Sequence, residues 1–246
     1  MERRFRKIKI LRLLLCGLFL AAFPVIAQAE MVRIAIIDSG AKAYVNEALS
    51  FTALSATEDP LSHGTQIAKL IRQGNPEARI FMLQVCEKVN GEYRPSQAAV
   101  QKAIDWIVQN DIDIVNMSLV MRFNREIENS ITNASTSHGI VFVAAAGNRT
   151  LASHFAANPN GYITKSSKTI KPAFPASVPS VIAVGGLDDR GRIASYSDKT
   201  CDVYAYGKIL GQEGSSFACA RVTGKIAKLF PILHSRDKIS LLTSIQ

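Results

Sequence analysis

The chain has 246 residues, 48% of them hydrophobic and 20% charged, with a formal net charge of +9. This composition excludes a disordered or low-complexity chain, and the length suits one domain with a substantial core. Six basic residues and one acid place +5 within residues 1–29, and the +4 that remains is ordinary, giving no reason to expect nucleic acid as a partner.

Residues 1–29 read as a secretory signal peptide. Arg3, Arg4, Arg6, Lys7, Lys9 and Arg12 form a basic start, residues 13–26 are apolar, and Ala27-Gln28-Ala29 is a small-x-small cleavage site. The apolar run is short for a span of about 20 residues, so an uncleaved membrane anchor is the weaker alternative. Leu15 speaks against a lipoprotein signal at Cys16, and Phe5-Arg6-Lys7 fits a twin-arginine signal poorly. Export, to the periplasm or beyond, is the expectation. Cys86, Cys201 and Cys219 remain after cleavage. Export permits a disulfide, but an odd number leaves at least one thiol free, and their spacing matches no zinc pattern. Cys86 and Cys219 read best as buried small hydrophobes.

Residues 32–37 (VRIAII) form a short β-branched run that ends in Asp38-Ser39-Gly40. An acid just past the carboxyl end of a buried strand lies where open α/β sheets keep their sites, although an Asx-turn is the plainer reading. A polar connection with weak patterning, 41–62, leads to His63-Gly64-Thr65. Ile67, Leu70 and Ile71 then have helical spacing. The helix dipole would help a histidine at that start to stay a neutral base, though a lone histidine is more often a surface residue.

Residues 79–86 (RIFMLQVC) predict the next buried strand, and 87–95 a turn-rich loop. Ser96 can cap a helix in which Val100, Ala103, Ile104, Ile107 and Val108 share one face. A strand over 113–120, a more polar helix over 125–138, and a strand over 140–146 ending in Gly147-Asn148 follow. Residues 165–171 are a basic loop and 179–186 another strand. Gly214-Ser215-Ser216 is a glycine-led turn into a helix that Pro231 should stop near Phe230, and Ser235 begins a last helical stretch. A serine at such a junction is either an N-cap or a nucleophile presented on a sharp turn. The alternation of strand and helix predicts a three-layer, doubly wound, mainly parallel sheet with helices on both faces.

In such a sheet Asp38, His63, Asn148 and Ser216 gather at one edge. Acyl transfer needs a nucleophile, a base, a group that orients the base and a donor for the oxyanion, and these four residue types supply one each. The motifs that carry them, Ile36-Ile37-Asp38-Ser39-Gly40, His63-Gly64-Thr65, Asn116-Met117-Ser118-Leu119, Ala144-Ala145-Ala146-Gly147-Asn148 and Gly214-Ser215-Ser216-Phe217-Ala218 through Gly224, together resemble the subtilisin family of serine peptidases, the subtilases. Phe174-Pro175-Ala176 and 179–185 resemble it too, so the likeness covers nearly all of residues 30–246.

The resemblance implies that Ser216 is the nucleophile, His63 the base, Asp38 its orienting acid and Asn148 an oxyanion donor. It also implies that Ser118, Leu119 and Val120 on one side, and Ala145, Ala146 and Gly147 on the other, meet the substrate, a protein or peptide. The Phe174-Pro175 bond is expected to be cis. No cofactor or metal is expected, because the calcium loop of many relatives is missing between Ile71 and Arg79. A propeptide is not expected either, which leaves room for an inhibitor or folding partner in trans.

The chain departs from its relatives at several points. Ser215, Ala220, Arg221 and Lys69 replace usual residues, Val120 stands where glycine is usual, and Tyr93-Arg94-Pro95 replaces a glycine-rich segment. The expectation is an exported endopeptidase of restricted specificity. A catalytically idle binding protein and a peptide ligase using the same residues are the alternatives.

Overall fold

The computed structural model describes residues 31–148, 172–232 and 237–245. Residues 1–29, predicted to be a signal peptide, the predicted basic loop 165–171 and Ser235 lie outside the described residues.

Seven described strands form one parallel sheet. Strand β1 (Arg33–Asp38) lies inside it, with β3 (Arg79–Gln84) and then β2 (Glu47–Ser50) on one side. On the other side follow β6 (Ile114–Met117), β7 (Val141–Ala145), β8 (Ile182–Leu187) and β9 (Val203–Tyr206). From β1 the chain crosses to the edge strand β2, returns to β3 and then runs outward on the other side from β6 to β9, and the crevice at such a switch lies beyond the strands' carboxyl ends. The register aligns those ends: Ile36 pairs with Asn116 and Met117 with Ala144.

Successive side chains of a strand point to opposite faces, and here both faces are apolar. Ile34, Ile36, Ile80, Met82 and Val143 pack with helix α1 (His63–Gly74), α4 (Ser215–Leu229) and α5 (Lys238–Ile245). Ala35, Ile37, Phe81, Leu83 and Phe142 pack with α2 (Gln97–Gln109) and α3 (Arg125–His138). Burial on both faces explains why the strands read as unbroken apolar runs. Each fully buried aliphatic side chain contributes about 1.5–3 kcal/mol.

The local signals explain where elements begin and end. Asn124 accepts hydrogen bonds from the N–H groups of Glu126 and Ile127, and Gly139 closes α3 at φ 66°. Ser96 does stand at the N-cap of α2, but its side chain makes no capping bond. In α2 Val100, Ala103, Ile104 and Ile107 are buried, while Val108 packs against the core only partly covered. Helix α4 ends at Leu229 and passes into a 3₁₀ turn, Phe230–Ile232, that contains Pro231. The Phe174-Pro175 bond is cis.

The structure also corrects the sequence reading. The predicted loop 87–95 belongs to an antiparallel hairpin, β4 (Cys86–Val89) and β5 (Glu92–Pro95), turned by Asn90 and Gly91, both at positive φ. The connection 41–62 contains edge strand β2, and a second small hairpin, β10 (Lys208–Ile209) and β11 (Gln212–Glu213), precedes α4. The strand predicted over 113–120 ends at Met117, after which Ser118, Leu119 and Val120 leave the sheet. No helix among the described residues is long and apolar enough to cross a membrane.

Candidate active site

The site lies beyond the carboxyl ends of β1, β6 and β7. Asp38 is the last residue of β1 and only 3% exposed. Its Oδ1 accepts a hydrogen bond from Ser39 N at 2.7 Å and lies 2.8 Å from Nδ1 of His63. A carboxylate can only accept, so Nδ1 carries the proton and the lone pair sits on Nε2. Burial disfavours the imidazolium, but the charge and hydrogen bond of Asp38, with the charge of Asp59, outweigh it and raise the pKa above 6.5.

Two glycines make this approach possible. Gly40 has φ 117°, and a Cβ there would stand 2.1 Å from the Glu58 carbonyl oxygen. A Cβ on Gly64 would stand 2.1 Å from the carbonyl oxygen of Gly40. The start of α1 therefore rests directly on the turn after Asp38, which is the physical content of the Asp-Ser-Gly and His-Gly-Thr motifs.

Ser216 is the second residue of α4, with Gly214 rather than a serine at the N-cap. Its hydroxyl donates to the Ser118 carbonyl at 3.1 Å. Its backbone N–H belongs to the first turn, which no i−4 carbonyl reaches. Ser118 returns a bond from Oγ to the Ser216 carbonyl at 2.9 Å. Behind it, Asn116 donates to Ser118 Oγ at 3.0 Å and accepts from Thr223 at 2.9 Å. Asn116, Ser118 and Thr223 are all buried. This satisfied polar chain ties β6 to α4.

Asn148 follows β7 by three residues. Its Oδ1 accepts from Ser215 N at 3.0 Å and from Ser215 Oγ at 3.1 Å. An N–H can only donate, so the side-chain orientation follows, and Nδ2 is the group left to serve a ligand.

These residues line one cleft of about 200 Å³. Ser118, Leu119 and Val120 form one wall and Ala145, Gly147 and Asn148 another. A Cβ on Gly147 would stand 3.3 Å from Val120 Cγ1, so the valine reaches across the gap between the walls. Ala146 does not line the cleft. It is buried, its N–H bonds Val184 and its carbonyl accepts from Ala173, each at 2.9 Å. Tyr93 and Pro95 of β5 do reach the cleft.

Three contributors escape a sequence reading. Leu61 and Cys86 line the cleft, and Asp59, 1% exposed, accepts from Ser39 Oγ and Thr65 N. The one available signal for Asp59 was an acid four residues ahead of His63. Arg221 lies at the surface, where it donates to the carbonyls of Tyr206 and Lys208 and so fastens β9 and β10 to α4. Cys86 and Cys219 are free and buried, and Cys201 is free and partly covered. No group of three potential metal ligands occurs among the described residues.

The profile of the subtilase family matches residues 30–237. Similar curated proteins include minor extracellular protease Epr of Bacillus subtilis (strain 168), 29% identical over 181 residues, covering 68% of this chain and 25% of that protein. Subtilisin E of the same organism is 28% identical over 225 residues, covering 80% of this chain and 54% of that protein. The chain thus spans a quarter to about half the length of these relatives. Among solved structures, a cold adapted subtilisin-like serine proteinase superposes with a TM-score of 0.68 at 22% identity, covering 86% of this chain and 80% of the other. That likeness carries the fold.

Proposed function

Because the chain belongs to the subtilase family, we propose that it is an exported serine endopeptidase that uses Asp38, His63, Ser216 and Asn148 on a restricted set of peptide substrates. The observation that carries this reading is the bond between the buried Asp38 carboxylate and the half-buried His63, with Nε2 left as the base, in one cleft with Ser216 and Asn148.

The geometry supports the following chemistry. Rotation about the Ser216 side chain moves its hydroxyl from the Ser118 carbonyl toward Nε2. Oγ then bonds to the scissile carbonyl carbon while its proton passes to Nε2. The imidazolium is held by Asp38. The negative oxygen is met by Nδ2 of Asn148 and the Ser216 N–H, assisted by the positive end of the α4 dipole. Collapse breaks the C–N bond, and His63 returns the proton to the leaving amine. Water then repeats the cycle on the acyl-enzyme. Val120, Tyr93 and Pro95 restrict the cleft, which supports narrow specificity. Export rests on residues 1–29 and on the extracellular relative.

A catalytically idle binding protein is the second reading, favoured by the Ser216 hydroxyl turned to Ser118 and by Val120 across the gap. The deciding experiment is fluorophosphonate labelling of wild type beside Ser216→Ala and Ser215→Ala. Labelling should vanish in Ser216→Ala and largely survive in Ser215→Ala. An unlabelled wild type rejects the enzyme reading, and the reverse pattern of variants rejects the assignment of the nucleophile.

A further inference from the structure

We propose that Asp59 is a positioning residue of the active site, a second buried carboxylate that brackets the Asp38–His63 pair through the Ser39 hydroxyl and the Thr65 amide. This rests on the reading of His63 as the base.

Asp59 lies in the connection ahead of α1 and is 1% exposed. Among the described residues no basic side chain forms an ion pair with it, and a buried carboxylate held only by hydrogen bonds is costly to keep. Both of its bonds end on the catalytic elements. Oδ2 accepts from the N–H of Thr65, two residues after His63, at 2.8 Å. Oδ1 accepts from Ser39 Oγ at 2.8 Å, and Ser39 directly follows Asp38. Asp59 thereby caps α1, the helix that presents His63, while Ser62 at the N-cap makes no side-chain bond. The linkage closes a ring: Asp38 to His63, along the first turn to Thr65, to Asp59, to Ser39 and back to Asp38.

The proton count gives the ring a function. Ser39 Oγ lies 3.1 Å from Asp38 Oδ1 and 2.8 Å from Asp59 Oδ1, but a hydroxyl has one proton to donate. Asp59 makes the shorter contact and draws that proton. Asp38 Oδ1 is then left to the Ser39 N–H and to His63. Without the carboxylate of Asp59, the hydroxyl turns to Asp38 and competes with the imidazole. The negative charge near the ring is lost as well. Both changes weaken the hold on the imidazolium. The groups facing His63 are few. Asp38 comes from β1, Asp59 from the connection, Cys86 and Tyr93 line the same cleft from the β4–β5 hairpin, and α4 contributes the uncharged Ser216 and the Phe217 ring, 6.0 Å away.

The test uses Asp59→Asn and Ser39→Ala in the full chain. The first readout is the NMR titration of the His63 ring, assigned with His63→Gln. The second is the pH dependence of fluorophosphonate labelling. Asp59→Asn should lower the His63 midpoint by about half a pH unit and move the acid limb of labelling down equally. Ser39→Ala, which cuts the link but keeps the charge, should lower maximal labelling roughly three- to tenfold and leave the limb near its place.

A fall in melting temperature with no movement of the His63 midpoint or the limb would overturn the proposal and reduce Asp59 to a helix cap. If Asp59→Asn does not fold, Ser39→Ala decides, and an unchanged labelling rate rejects the link. If wild type is not labelled at all, the enzyme reading fails, while the ring titration still tests Asp59.

Discussion

Replacement of Asn148 separates the role its Oδ1 has in the structure from the one proposed for its Nδ2. Oδ1 holds Ser215, accepting from both its N–H and its hydroxyl, and Ser215 is 1% exposed. In the proposed mechanism Nδ2 is the donor that meets the oxyanion. Asn148→Leu removes both. Loss of an oxyanion donor raises the barrier by roughly 3–4 kcal/mol, a hundred- to a thousandfold in turnover. The Ser215 N–H is also left buried and unpaired, at about 1–3 kcal/mol of stability, or several degrees of melting temperature for a domain of this size. Asn148→Asp parts the two effects. A carboxylate still accepts both bonds from Ser215 and stands favourably at the positive end of α4, but it has no N–H for the oxyanion and places like charge beside it.

The assay is hydrolysis of p-nitrophenyl acetate, with kcat and KM measured separately, alongside thermal melting. The Leu variant should lose both turnover and stability. The Asp variant should lose at least as much turnover while melting close to wild type. KM should change little in either. If Asn148→Leu melts early yet keeps kcat within about threefold, Asn148 is a bracket for Ser215 and the oxyanion assignment is wrong.

Other expectations follow from the same geometry. Val120→Gly combined with Pro95→Gly should raise casein turnover with little change in the rate of fluorophosphonate labelling, since Val120 Cγ1 closes on Gly147 and the probe needs only the reacting groups; equal acceleration of both would show that the two residues act on the chemistry instead. Burial, assisted by nearby carboxylates for Cys86 and Cys201, pushes the thiols of Cys86, Cys201 and Cys219 up to about 12. At pH 8 they should react with a disulfide reagent orders of magnitude more slowly than free cysteine until denaturant is added, and fast labelling of the native protein would contradict that burial. The raised pKa of His63 means that its ion pair stabilises the fold fully below pH 6.5 and that this contribution fades as pH rises through the folded value. Denaturant melts of wild type should therefore weaken across that window more than those of His63→Gln, and parallel curves would exclude the coupling.

How far the sequence leads can be judged element by element. Helix α3 is legible to the residue because its signals are local: Asn124 bonds N–H groups two and three residues on, and Gly139 supplies the left-handed stop. Strands β1, β3, β7 and β8 are legible because burial on both faces writes them as apolar runs. The four catalytic candidates are legible because each sits where a strand ends or a helix begins, and the sheet's winding brings those ends together.

Strands β2 and β9 are not legible, since their side chains are mostly half-buried and their hydrogen bonds come from neighbours distant in sequence. Ser118 to Val120 reads as strand by propensity, yet leaves the sheet after the Met117–Ala144 pair, where Ser118 bonds Ser216 of α4 instead. Asp59 is an ordinary acid in an unpatterned stretch until folding brings Ser39, twenty residues earlier, and Thr65, six residues later, against its two oxygens. Sequence alone determines what local hydrogen bonds and side-chain periodicity encode. Only the tertiary structure decides which polar atoms meet in the interior, because each such bond depends on where the rest of the chain has gone.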